Sequence, residues 1–165
     1  MNIIESLVGE MEKEGQTTRK MLSRIPNDKL DWQPHVKSMT IRRLAVHIAE
    51  LPAWIPMTLQ TNGLDFESMD FTPTHVDSTA DILAIFDKSL AEGKAALSTA
   101  TGSDLDPDWT MRNGDHIIST ETKGEIIRMA YSQTVHHRAQ LGVYLRLLDI
   151  PIPDSYGPSA DEPMF

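Results

Sequence analysis

Apolar residues at Ile4, Leu7, Val8, Met11, Met21, Leu22 and Ile25 recur at helical spacing until Pro26 interrupts them. The interval predicts a first amphipathic helix, and proline ends it because it has no amide hydrogen to give the ladder. A second helix is predicted from Ser38 or Thr40, either of which could cap it. It carries Ile41, Leu44, Ile48, Leu51, Ile55 and Leu59 on one face, with kinks at Pro52 and Pro56. Ser78, with Asp81 three residues on, reads as a capping box that opens a third helix through Ile82, Ile85, Phe86, Leu90 and Leu97 to Gly102. Thr122 with Glu125 repeats the device, and the helix it opens runs to about Leu148 before Pro151 and Pro153 forbid continuation.

Between the third and fourth helices, "DWTMRNGDHII" sets Asn113-Gly114 between alternating residues, a hairpin signal that predicts a small β-ribbon. The ending "PIPDSYGPSADEPMF" is rich in proline, serine and acids and reads as an extended tail that either packs over the helices or stays free. The expected fold is therefore all-α. It is an antiparallel four-helix bundle with a small β-hairpin between helices three and four and an extended C-terminal tail, in one domain over residues 1–165.

One helix face is interrupted. At about 100° per residue, Ile126, Ala130, Gln133, His137, Gln140, Tyr144 and Leu148 fall within about 40° of one line, which puts two glutamines and a histidine mid-stripe. His136 lies roughly 80° away, toward the edge, so His137 is the inward member of the pair. Gln133 and His137, at i and i+4, are one turn apart and can share one ligand. His47 falls about 70° from the middle of the second helix's stripe, where it can face a neighbouring helix. Two imidazoles and an amide oxygen make a neutral three-point site for a divalent metal with coordination positions left open. The competing reading is a buried histidine hydrogen-bonded to Gln133 with no ion. His35, His75 and His116 fall in loops or the ribbon and read as solvated. Trp32, Trp54 and Trp109 read as packing, Glu50 as a possible orienting partner or a plain surface acid, and Arg138 as the partner of an acid on another helix.

Composition narrows the chemistry. With no cysteine there is no disulfide, protein thiol nucleophile or thiolate metal site, so a metal must use histidine, carboxylate or amide ligands. A formal charge of −9 with scattered basic residues opposes nucleic acid as a partner. No apolar run reaches the roughly 20 residues of a membrane span, and the acidic start "MNIIESLVGEMEKE" reads as a helix and not as an export signal, so a cytoplasmic location is expected. No phosphate loop, nucleophile elbow or paired-carboxylate site is present.

At these residues the sequence resembles the DinB-like superfamily, four-helix proteins with a divalent metal between the second and last helices. "IPNDKLDWQPHVKSMTIRRLAVHIAEL" resembles the entry to the second helix, "WTMRNGDHII" the ribbon, and "VHHRAQLGVYLRLLDIPIPDSYGPSADE" the family ending. The resemblance places one ligand at the histidine of "HIAEL", His47, and another at His137. Gln133 stands where the pattern carries a histidine, and an amide oxygen binds zinc or nickel more weakly than imidazole. His136 matches no ligand position. The resemblance further implies a small-molecule substrate, a second copy of the chain as partner, and zinc or nickel as the metal. It also implies an S-transferase or hydrolase type of chemistry, in which the cation activates a low-molecular-weight thiol or water toward a small electrophile. The alternative is a non-catalytic dimeric binding or stress-associated bundle whose site is degenerate.

Overall fold

The computed structural model describes residues 2–69, 72 and 74–162. Four of its five helices begin on a side-chain cap, which satisfies amides that have no partner within the helix. Asn2 and Glu5 form a reciprocal box at the start of α1, Ile3–Leu22. Thr40 accepts the Arg43 amide and opens α2, Ile41–Glu50. Ser78 with Asp81 opens α4, Thr79–Thr99, and Thr122 with Glu125 opens α5, Lys123–Leu147. The second predicted helix is interrupted and not merely kinked. Pro52 lies in a tight 3₁₀ turn, Leu51–Ala53, after which α3 runs over Trp54–Gln60.

The helices form a four-part bundle in which α1 and α2 each pack on both α4 and α5. Neighbours do not alternate in direction as the expected antiparallel arrangement requires. Tyr131 reaches Leu7, Arg138 reaches Glu14, and Gly142 lies beside Met21, so α1 and α5 ascend together. Ser89 donates to Ala49, and Gly93 lies beside Pro52, so α2 and α4 also run the same way. The antiparallel neighbours are α1 with α4, where Glu12 meets Lys94 and Arg19 meets Asp87, and α2–α3 with α5, where His47 meets His137 and Leu59 meets Lys123. The cause is the connection after α3. It carries the chain back along the molecule before α4 starts, where a short loop would have reversed it.

That connection also corrects the all-α expectation, since β1, Gly63–Asp65, pairs in parallel with β2, Asp108–Asn113, which pairs antiparallel with β3, His116–Thr122. The hairpin becomes a three-stranded sheet. Its turn centres on Gly114-Asp115, one residue beyond the expected dipeptide, because Asn113 is still paired with His116 and Gly114 supplies the positive φ of 59°. Fully buried Trp109 gives its indole N–H to Thr61 Oγ1 at 2.9 Å and anchors the sheet under α3. The tail packs on the bundle, with Asp154 on Lys20, Glu162 on Arg24 and Asp161 on Arg146; residues 163–165 lie outside the described residues.

Candidate metal centre

The buried line of α5 changes along its length. Ile126, Ile127, Ala130 and Tyr131 are all buried at its start, but beyond them burial follows Thr134, Arg138, Leu141 and Leu145. The expected inner line is thus displaced by one residue in the middle of the helix, leaving Gln133, His137, Gln140 and Tyr144 half-buried on the flank that faces α2. Arg138 can occupy the deeper line because Glu14 of α1 meets it there. The displacement gives the polar residues access to solvent without exposing the core.

On this flank the His47 and His137 rings meet edge to face, with centroids 4.6 Å apart. The sequence placed Gln133 and His137 on one turn, and the fold brings His47 to them from α2. Burial first, then the His137 ring and the Arg43 guanidinium, hold the His47 pKa below the ordinary imidazole value. His47 is therefore neutral and able to offer a lone pair at neutral pH. Exposed His136 stacks edge to face on His137 at 4.8 Å.

The side chains around His137 form a hydrogen-bonded chain whose proton positions follow from how the Gln133 and Gln140 amides are turned, and the orientation of Gln140 as placed gives one arrangement. Gln140 Nε2 lies 3.1 Å from His136 Nε2, and an amide NH₂ only donates, so His136 accepts there. Gln140 Oε1, 2.9 Å from His137 Nδ1, then accepts the Nδ1–H of His137. A neutral His137 is left with a lone pair on Nε2, which faces another acceptor, Gln133 Oε1, at 2.8 Å. With the amides so placed, His137 Nε2 and Gln133 Oε1 present two lone pairs to a proton or a metal ion, whereas turning the Gln133 amide over sets its NH₂ on Nε2 as an ordinary donor. The donor types suit a divalent metal, an imidazole nitrogen and an amide oxygen lying together on α5 with the His47 ring packed against His137. Among the described residues no group of three or more His, Cys, Asp or Glu side chains is placed to hold a metal, so the amide is integral to any such site.

The remaining expected residues separate from this group. His35 and His116 are exposed, and His75 is exposed and paired with Asp77. Glu50 accepts the Thr74 hydroxyl at 2.5 Å and is not bonded to either ring. Arg138 meets Glu14 of α1, the expected acid from a neighbouring helix. Reading the sequence gave no role to Gln140 and passed over Arg43. The signal for both was helical spacing, since Gln140 is three residues after His137 and four after His136, and Arg43 is four before His47.

A sequence model of the DinB family matches residues 1–163. No functionally curated protein matches the chain. Among solved structures, a DinB-like protein (YjoA) from Bacillus subtilis is similar with a TM-score of 0.69 and 18% identity, covering 89% of this chain and 96% of its own. YfiT from Bacillus subtilis, described as a probable metal-dependent hydrolase with an unusual four-helix bundle topology, is similar at a TM-score of 0.67 and 13% identity, over 88% of this chain and 87% of its own. A mycothiol-dependent maleylpyruvate isomerase is similar at 0.61 and 13%, over 86% of this chain and 61% of its own.

Proposed function

The chain belongs to the DinB family, and from that premise we propose that His47, Gln133 and His137 hold a divalent cation, zinc or nickel, for transfer of a small thiol or water to a small electrophile. The observation that carries the reading is the placement of His137 Nε2 and Gln133 Oε1 2.8 Å apart on one turn of α5, with the His47 ring of α2 against His137. The descriptions of YfiT as metal-dependent and of the isomerase as mycothiol-dependent support it by analogy of fold.

When bound, a divalent cation supplies the positive charge that makes a thiol or a water nucleophilic at neutral pH. The chain's own residues prepare for it. Gln140, oriented by His136, holds the His137 proton on Nδ1 and so keeps Nε2 available. Burial keeps His47 unprotonated. Since the chain has no cysteine, a thiol must arrive with the substrate.

A second reading has its own observation. If the Gln140 amide turns over, His136 donates to its oxygen, its NH₂ donates to His137 Nδ1, and His137 Nε2–H donates to Gln133 Oε1. Every group is then satisfied without a cation, as in a polar pair at the edge of a non-catalytic bundle. Nitrogen-15 spectra of the metal-free protein read where the His137 proton sits: Nε2 selects this polar pair, and Nδ1 leaves Nε2 to a metal ion or to a turned Gln133 NH₂, which metal binding separates. Calorimetry with untagged protein adds the functional test. Wild type is expected to bind one zinc or nickel ion per chain and His47→Ala to lose at least tenfold in affinity. Weak millimolar binding, equal in both, would select the polar pair.

A further inference from the structure

Beside His47 lies a groove of about 350 Å³ lined by Arg43, His47 and Glu50 of α2 and by Thr74, which is bonded to Glu50. The three α2 residues stand at i, i+4 and i+7, so they share one helix face, with Arg43 about 6 Å before His47 along the axis. The charges in the groove are already committed except for one. Glu50 is bonded to Thr74, and Arg42 is bonded to Asp31 and to the Val76 carbonyl. Arg43 is different. Seven of the eight arginines hold a carboxylate, and among the described residues Arg43 does not.

Acids outnumber bases by 24 to 15, so a carboxylate partner for Arg43 would have been easy to supply. Left free, its guanidinium opposes both a proton and a metal ion at His47, which makes it a liability for a bare cation site. A ligand that carries its own anion removes the liability, since it is attracted from both ends.

We propose that this groove is the substrate-binding site, and that Arg43 anchors the carboxylate of a small anionic substrate whose reacting end lies at His47. The planar guanidinium offers paired donors that match a carboxylate, and Glu50 at the far end repels the anion and so sets the direction in which the ligand lies. This deepens the metal-site reading and rests on it for the reacting end only, because the anion-binding end is a property of Arg43.

The test uses two thiols of equal length, 3-mercaptopropionate and 3-mercapto-1-propanol, on zinc-loaded and metal-free protein. On the zinc-loaded wild type the carboxylate is expected to bind about fivefold more tightly than the alcohol, the upper end of what a solvent-exposed ion pair contributes. Arg43→Gln should bring the two to equal affinity, and Arg43→Lys should keep part of the preference. On metal-free wild type, 3-mercaptopropionate should still shift the Arg43 side-chain N–H resonance while the alcohol leaves it in place. A protein that takes up no zinc but shows this shift would remove the metal reading and leave the anion site standing. A preference that survives in Arg43→Gln, or an Arg43 resonance that 3-mercaptopropionate does not move, would overturn the proposal.

Discussion

His137 and Arg138 are adjacent, yet they stand on opposite flanks of α5 in opposite chemical conditions. Arg138 is 3% exposed and gives its guanidinium hydrogens to Glu14 Oε2 at 2.5 Å, Thr18 Oγ1 at 3.0 Å and the Tyr156 hydroxyl at 3.0 Å. The circuit closes on itself, because Tyr156 donates to the other Glu14 oxygen at 2.7 Å and lays its ring against the guanidinium. The His137 side is a line of donors and acceptors that ends, in the arrangement described above, on two lone pairs, and it opens beside a groove. A polar cluster whose cationic centre is buried and whose members bond to one another fixes structure, here the tail and α1 onto α5. One left incomplete at a half-buried flank is where a ligand can enter.

The comparison breaks most visibly at Arg138. Arg138→Ala leaves the mostly buried Glu14 carboxylate without its cation and should cost about 3 kcal/mol of stability or more. His137→Ala should cost about 1 kcal/mol, the loss of a modest hydrogen-bonded pair. Urea midpoints for the two variants measure the difference, and a larger loss at His137 would reverse the assignment of structural and chemical flanks.

A smaller effect sharpens the chemical side. Gln133→His replaces a weak oxygen ligand by imidazole one turn from His137, so zinc and nickel affinity should rise about tenfold, roughly 1.4 kcal/mol. Titration of both proteins at one pH reads the change. No gain would mean that Gln133 serves only as a hydrogen-bond partner.

The smallest expected effect is a pH dependence. The folded protein holds the His47 pKa below 6.5, chiefly by burial, so on acidification the unfolded chain takes up its proton first. Stability from this group is therefore complete above about pH 6.5 and is lost as pH falls from there through the lowered folded value. Metal-free unfolding midpoints taken at about pH 7.5 and about pH 5.5 should fall further in wild type than in His47→Gln. Equal falls in the two proteins would place His47 in an environment like that of the unfolded chain.

How far the sequence reaches follows the range of the interactions. Helix starts at Ser78 and Thr122 were legible, and that of α2 to within Ser38 or Thr40, because a cap and its amide are three residues apart; α1 already ends at Leu22, ahead of Pro26. The pairing of Gln133 with His137 was legible for the same reason, one helical turn fixing both. Strand β1 was not, being three residues long and held by contacts with β2 and its turn, far along the chain. Nor was the direction of the helices, which the connection between α3 and α4 sets as a whole.

The sequence by itself determined the helical segments, the absence of any cysteine ligand, and a histidine and an amide on one turn of α5. Tertiary structure decided which flank of that helix became core. Spacing gives angles between side chains on one helix, but the rotation of that helix against its neighbours depends on what they present to it. Glu14 and Thr18 of α1 took Arg138 inward, and this rotation turned His137 toward α2, where His47 meets it 90 residues away in the chain and Arg43 waits beside the groove with no acid of its own.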